Sequence, residues 1–332
     1  MKSSNLSIMS ATLLCAIALV LTECGKKETP APEPSPVVTE ESGQAGKDSR
    51  DVQSENDNAI NDINQVMSEN PRLSGRPAGT AGTAVGRPAG NICGMTIDSA
   101  LSVNGVLVLN FNGTTCDNRT RTGSIKLTLQ NYSTGVRWKN VGATIRVDYN
   151  SYKITRASDQ ASILLNGTQF YTNTSGGNWW TLLVVQTQTA LVASVTGTNL
   201  NVTFQDNKTA VFNINRKLTW SLNGSVISLK AEGIGTNGTL NNLENFGTTR
   251  EGEAFTSQVT TPIIWNTTCG SGAPLQGQVN IKVASKNFDL NCQYGVDASG
   301  NSITVGANQC PYGWKYTWTA NAATKTKVTK YF

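Results

Sequence analysis

Histidine is absent from all 332 residues, which removes Ser-His-Asp and Cys-His catalysis, His-ligated zinc and the usual general base near neutral pH. No C-x-x-C spacing occurs, so a zinc or thioredoxin-like site is not expected, and no cofactor is expected either. Charged residues make up only 15% of the chain, and acids are thinly spread beyond Asn91. Long Ala/Glu/Lys/Leu stretches are missing, which argues against a helical domain. The apolar run Ile8 to Leu21 is too short to span a bilayer as a stable anchor and has the length of a signal-peptide core, with Lys2 ahead of it.

That run leads into Leu21-Thr22-Glu23-Cys24, which resembles a bacterial lipoprotein signal, with residues 1–23 removed and Cys24 acylated as the new first residue. Glu23 stands where Gly, Ala or Ser is usual; a plain secretory peptide or an uncleaved anchor is the alternative. The lipid on Cys24 implies membrane attachment. Residues 24–90 read as a disordered tether, because KKETPAPEPSPVVTEES is rich in proline and glutamate and SGRPAGTAGTAVGRPAG is loop-like. One short amphipathic helix is expected within it at 54–70, with Ile60, Ile63, Val66 and Met67 on one face and Pro71 ending it.

From Asn91 the texture changes to short β-runs such as GVLVLNF, GSIKLTL and ATIRVDY. Ile125, Leu127 and Leu129 alternate with Lys126 and Thr128, the pattern of a half-buried antiparallel strand. Asn-Gly pairs at 104, 112, 166, 223 and 237 supply tight reversals. The fold expected for 91–332 is all-β: an antiparallel β-sandwich of two sheets, or two similar lobes. Leu182 to Gln186 is among the expected strands.

Charge divides the chain. Residues 25–90 carry 7 Lys/Arg and 10 Asp/Glu, net −3, whereas 91–332 carry 19 and 11, net +8. The basic residues stand singly, so nucleic acid is not the expected partner. Of the five cysteines beyond Cys24, Cys93 and Cys116 stand alone in the first half and are expected to pair, stabilising by roughly 3 kcal/mol through loop closure. Cys269 can pair with Cys292 or Cys310, leaving one thiol over.

Several spaced motifs agree in order with one family. Cys93-Gly-Met-Thr-Ile97-Asp98 is followed by Phe111-Asn112-Gly113-Thr-Thr-Cys116 and by Arg121-Thr-Gly123-Ser-Ile125. Trp138-x-x-x-Gly142-Ala143, Leu165-Asn166-Gly167-Thr168 and Val202-Thr203-Phe204 continue the series. The chain resembles a family of exported Bacteroidota lipoproteins with no assigned activity. The resemblance implies a lipid-anchored β-protein of the outer membrane. Asp98-Ser99-Ala100 resembles the O-glycosylation acceptor motif of Bacteroidota, which marks Ser99, and Lys26-Lys27-Glu28 resembles its surface-export signals.

Candidate ligand contacts are aromatic. Trp179 and Trp180, placed in a strand, would point to opposite faces, one in the core and one free to stack on a sugar ring. Trp314 and Trp318 share a face with Tyr316 and form either an aromatic strip or a closing core strand. Arg119 and Arg121 offer guanidinium groups to an anionic ligand, or are solvated strand residues. Asp297, Ser299 and Asn301 look like a calcium loop, but position twelve is Asn308, which excludes an EF-hand and favours a turn; no metal is expected. These features point to a non-catalytic, surface-exposed binding or structural module whose partner is a glycan or an envelope protein. The competing expectation is a glycan-cleaving hydrolase with a carboxylate pair such as Asp98 and Asp148.

Overall fold

The computed structural model describes residues 40–75, 92–116, 118–270, 273–286, 288–303, 309–320 and 323–331. The signal segment, Cys24 and the expected export signal lie outside them. Strands β1 (Met95–Ile97), β2 (Val106–Cys116), β3 (Arg119–Leu129), β4 (Ala143–Arg156), β5 (Ser162–Asn173), β6 (Ala190–Phe204) and β7 (Thr209–Asn223) form an antiparallel meander. Next come β8 (Val226–Gly233), β9 (Gly235–Asn237), β10 (Leu240–Thr248), β11 (Ala254–Asn266), β12 (Gln276–Val283), β13 (Phe288–Val296), β14 (Gly313–Ala320) and β15 (Ala323–Lys330). All belong to one sheet.

The meander is interrupted once. β10 pairs with the first half of β7 and of β11, while β8 pairs with the second half of each, so β8 and β10 lie end to end between the same two neighbours. Side chains alternate between a buried and a solvated face along β4, β6 and β7, as expected of strands covered on one side. The fold is all-β and antiparallel as expected, and Val38–Phe332 is one compact unit rather than two lobes.

The tether expectation fails for residues 40–75. α1 (Glu40–Glu69) is a 30-residue helix, about 45 Å long, and it lies inside the β-domain between the two flanks of the sheet. Its side chains reach β3 and β4 on one flank, where Glu55 meets Arg119 and Asn56 meets Tyr149. They reach β13 and β14 on the other: the Arg50 guanidinium lies 4.1 Å over the Trp314 ring, and a Cβ on Gly46 would overlap Leu290. Ala59, Ile60, Ile63, Val66 and Met67 are all 0% exposed and belong to the main core cluster. A short α2 (Pro71–Ser74) follows, capped by Asn70, whose Oδ1 accepts from Arg72 N and Leu73 N. Leu73 O then accepts from Trp138 N, fastening this end of the helix to the β3–β4 connection.

Two disulfides close loops in the domain, Cys93–Cys116 and Cys269–Cys310. Cys292 is the leftover thiol; burial pushes its pKa up to about 12, which keeps it unreactive. The expected strand at Leu182 to Gln186 is instead a single π-helical turn, Trp180–Val184.

Candidate functional site

The helix presents different faces to different neighbours. Its apolar stripe enters the core, whereas Ser54, Asn58, Asn61 and Gln65, spaced three and four residues apart, line a cavity of about 940 Å³. Register builds the opposite wall: Trp220 of β7 pairs with Leu229 of β8, and Leu229 pairs with Trp265 of β11, so an indole, an isobutyl group and a second indole stand side by side. Tyr294 and Trp314 extend this wall from β13 and β14. The π-helical turn adds Trp180 and Leu183, held by Asn178, whose Oδ1 accepts from Thr181 N and whose N donates to Thr181 Oγ1. Trp179, just before the turn, meets Trp220 edge-on at 5.9 Å between centroids.

Acids on the helix meet arginines from the sheet along its length. Asp48 pairs with Arg250 at 2.5 Å, Asp51 with Arg156 at 3.8 Å and Glu55 with Arg119 at 3.1 Å. Asp57 pairs with Arg216 and Asp62 with Arg121. Arg119 and Arg121 therefore hold the helix, Arg119 keeping a partly exposed side chain at the cavity and Arg121 lying outside its lining. Arg216 is the most enclosed, with its side chain 1% exposed. Its Nη1 donates to Asp57 Oδ1 and its Nε lies 3.6 Å from Glu244 Oε2, while Ser257 Oγ donates to Glu244 Oε1 at 2.9 Å.

Burial holds the Asp57 and Glu244 carboxyls above their usual range, against the pull of Arg216, and burial moves Asp48 and Glu55 the same way. A raised acid binds more protons folded than unfolded. The stability it contributes is fully present below the ordinary values of 3.8 and 4.5 and is lost as pH rises through the raised ones. No histidine titrates in competition. The thermal midpoint is thus expected to fall as pH rises above the ordinary carboxylate range, and Glu244→Gln should flatten that fall. A midpoint that stays level or rises in the wild type would contradict it.

Of the aromatic residues expected to touch ligand, Trp179, Trp180 and Trp314 line this cavity, and Trp318 does not. Trp318 packs against the main core cluster, and Trp314 is itself buried beside Tyr331. Trp220 and Trp265 had no sequence mark of their own, because what joins them is cross-strand register. Arg216 was hidden for the same reason, and the helix amides because their segment reads in sequence as a tether outside the domain.

Asp98 and Asp148 are not brought together. Register places them on either side of Val108 and Lys126, three strand spacings or roughly 14 Å apart, beyond the separation that glycoside cleavage uses. Asp98 accepts from Ala100 N and Leu101 N in its own turn, with Ser99 exposed there, and Asp148 accepts from Arg146 Nε and Thr168 Oγ1. Asp297 likewise closes its own turn by accepting from Ser299 N and Asn301 N. Among the described residues no group of three or more Cys, Asp or Glu is arranged to hold a metal ion. Comparison with known proteins returns no matching family model, no matching curated protein and no matching solved structure.

Proposed function

We propose that this is a lipid-anchored envelope protein of the Bacteroidota type that holds a glycan in its internal cleft without transforming it. The observation that carries this reading is the pairing of unlike walls: indoles of Trp180, Trp220 and Trp265 on one side, and the hydroxyl and amides of Ser54, Asn58, Asn61 and Gln65 on the other. A pyranose ring matches both, since its C–H face stacks on an indole and its hydroxyls exchange hydrogen bonds with amides. An acyl chain matches only one. It would strip water from four polar side chains and return no hydrogen bond, at a cost of about 1–3 kcal/mol for each group left unpaired. The anchor comes from the apolar leader and Cys24.

Hydrolysis is the second reading, favoured by one feature: Asp57 and Glu244 are two raised acids in the same cleft. Against it, both are committed to a single guanidinium.

The purified full chain, incubated with polysaccharides, separates these readings through the bound fraction and the release of reducing ends. Capture without release is expected. Trp180→Ala and Trp265→Ala should each weaken binding about tenfold, the equivalent of one lost stacking contact. Release of reducing ends would establish the hydrolase, and no capture by any saccharide would end the glycan reading.

A further inference from the structure

Among the described residues that line the cleft, Arg216 carries a buried donor with no hydrogen-bond partner. Arg216 Nη2 is shut off from solvent and makes no hydrogen bond, although Arg216 lines the cavity and its other nitrogens face Asp57 and Glu244. An isolated buried N–H is costly, and a ligand oxygen would relieve it. Resting on the glycan-binding reading, we propose that the cleft selects chains of N-acetylated hexosamine, with Arg216 Nη2 donating to an acetamide carbonyl oxygen.

Charge decides among the oxygen acceptors. Two carboxylates already face this one guanidinium, so its surroundings are not positive overall. A uronate carboxylate would enter beside Asp57 and Glu244 and be repelled. A sugar hydroxyl is a weaker acceptor and brings a donor of its own. The carbonyl of an amide is neutral, accepts strongly and carries a methyl group that suits the apolar members of the same cavity, among them Leu229, Ile263 and Val279.

Spacing fits a chain better than a single ring. Arg216 and Trp220 point to the same face of β7 four residues apart, about 13 Å. Gly233 lies opposite Arg216, and Leu229 lies opposite Trp220. One sugar can therefore stack at the indole row while another in the same chain reaches the guanidinium.

The test is calorimetric titration of the full chain with three β-1,4-linked glucan-backbone oligosaccharides of one length, bearing acetamide, hydroxyl or free amine at C2. The acetamide form should bind at least about tenfold tighter than the hydroxyl form, as expected when a buried donor loses its only acceptor. In Asp57→Asn/Arg216→Met/Glu244→Gln, which removes the whole charged cluster together, the two should bind alike. Equal binding in the wild type, tightest binding of the amine, or a preference that survives in the triple variant would each overturn the assignment. Should the triple variant not fold, the wild-type series decides alone. Binding without preference leaves the glycan reading standing and removes only this inference; no binding of any form removes both.

Discussion

A chain that begins at Asn91 is expected to be recovered unfolded or aggregated, whereas one that begins at Val38 should unfold cooperatively. The truncation takes away α1, the element on which both flanks of the sheet close. Ala45, Val52, Ala59, Ile60, Ile63, Val66 and Met67 are all buried there, and at about 1.5–3 kcal/mol for each large side chain the loss is on the order of 10 kcal/mol, comparable with the whole stability of a typical domain. It also takes from Arg119, Arg121, Arg156, Arg216 and Arg250 the helix acids that face them, leaving, among the described residues, only Arg156, Arg216 and Arg250 a second acid, Asp159, Glu244 and Asp206. Circular dichroism and a thermal scan of the two chains decide the matter. A cooperative transition at an unchanged midpoint in the shorter chain would mean that the helix is only an appendage.

The β-domain was legible because its signals are local. Alternation along 125–129 and the Asn-Gly reversals depend on neighbours in sequence, and β3 and the turns at 104, 223 and 237 stand where these patterns placed them, whereas the expected reversals at 112 and 166 are register shifts inside β2 and β5. Long strands were harder: β6 and β7 each run for 15 residues, β6 through a register shift and β7 through a change of partner from β10 to β8. The helix was legible only in its second half. There the buried stripe is apolar, but in the first half Ala45 and Val52 are outnumbered at buried positions by Asp48, Ser49, Gln53 and Asn56, whose partners Arg250, Asn245 and Tyr149 lie far along the chain. A polar buried face has no apolar periodicity to detect.

The charge imbalance held the missing information. The −3 of the first segment and the +8 of the remainder look like an acidic linker and a solvated basic surface. They are partly the two sides of one set of helix-to-sheet pairs. The cleft was less legible still, since its walls come from a helix, three strands joined by register and a turn that no motif marks.

Arg216→Met is expected to lower stability by about 3–5 kcal/mol near neutral pH, because it leaves Asp57 and Glu244 buried with no opposite charge. For a domain of this size that is a fall in thermal midpoint on the order of 10 °C. The loss should shrink at mildly acid pH, where the two acids, already raised by burial and now deprived of the guanidinium that pulled them down, take up protons. Combining it with Asp57→Asn and Glu244→Gln should recover most of the stability, since a network neutralised as a whole costs far less than one broken in the middle. Thermal scans of the single and triple variants at the two pH values give the answer. An unchanged midpoint in Arg216→Met, or a triple variant no better than the single, would show that the cluster contributes nothing to holding α1 in the sheet, and the acids of the helix would then need another reason for facing five arginines.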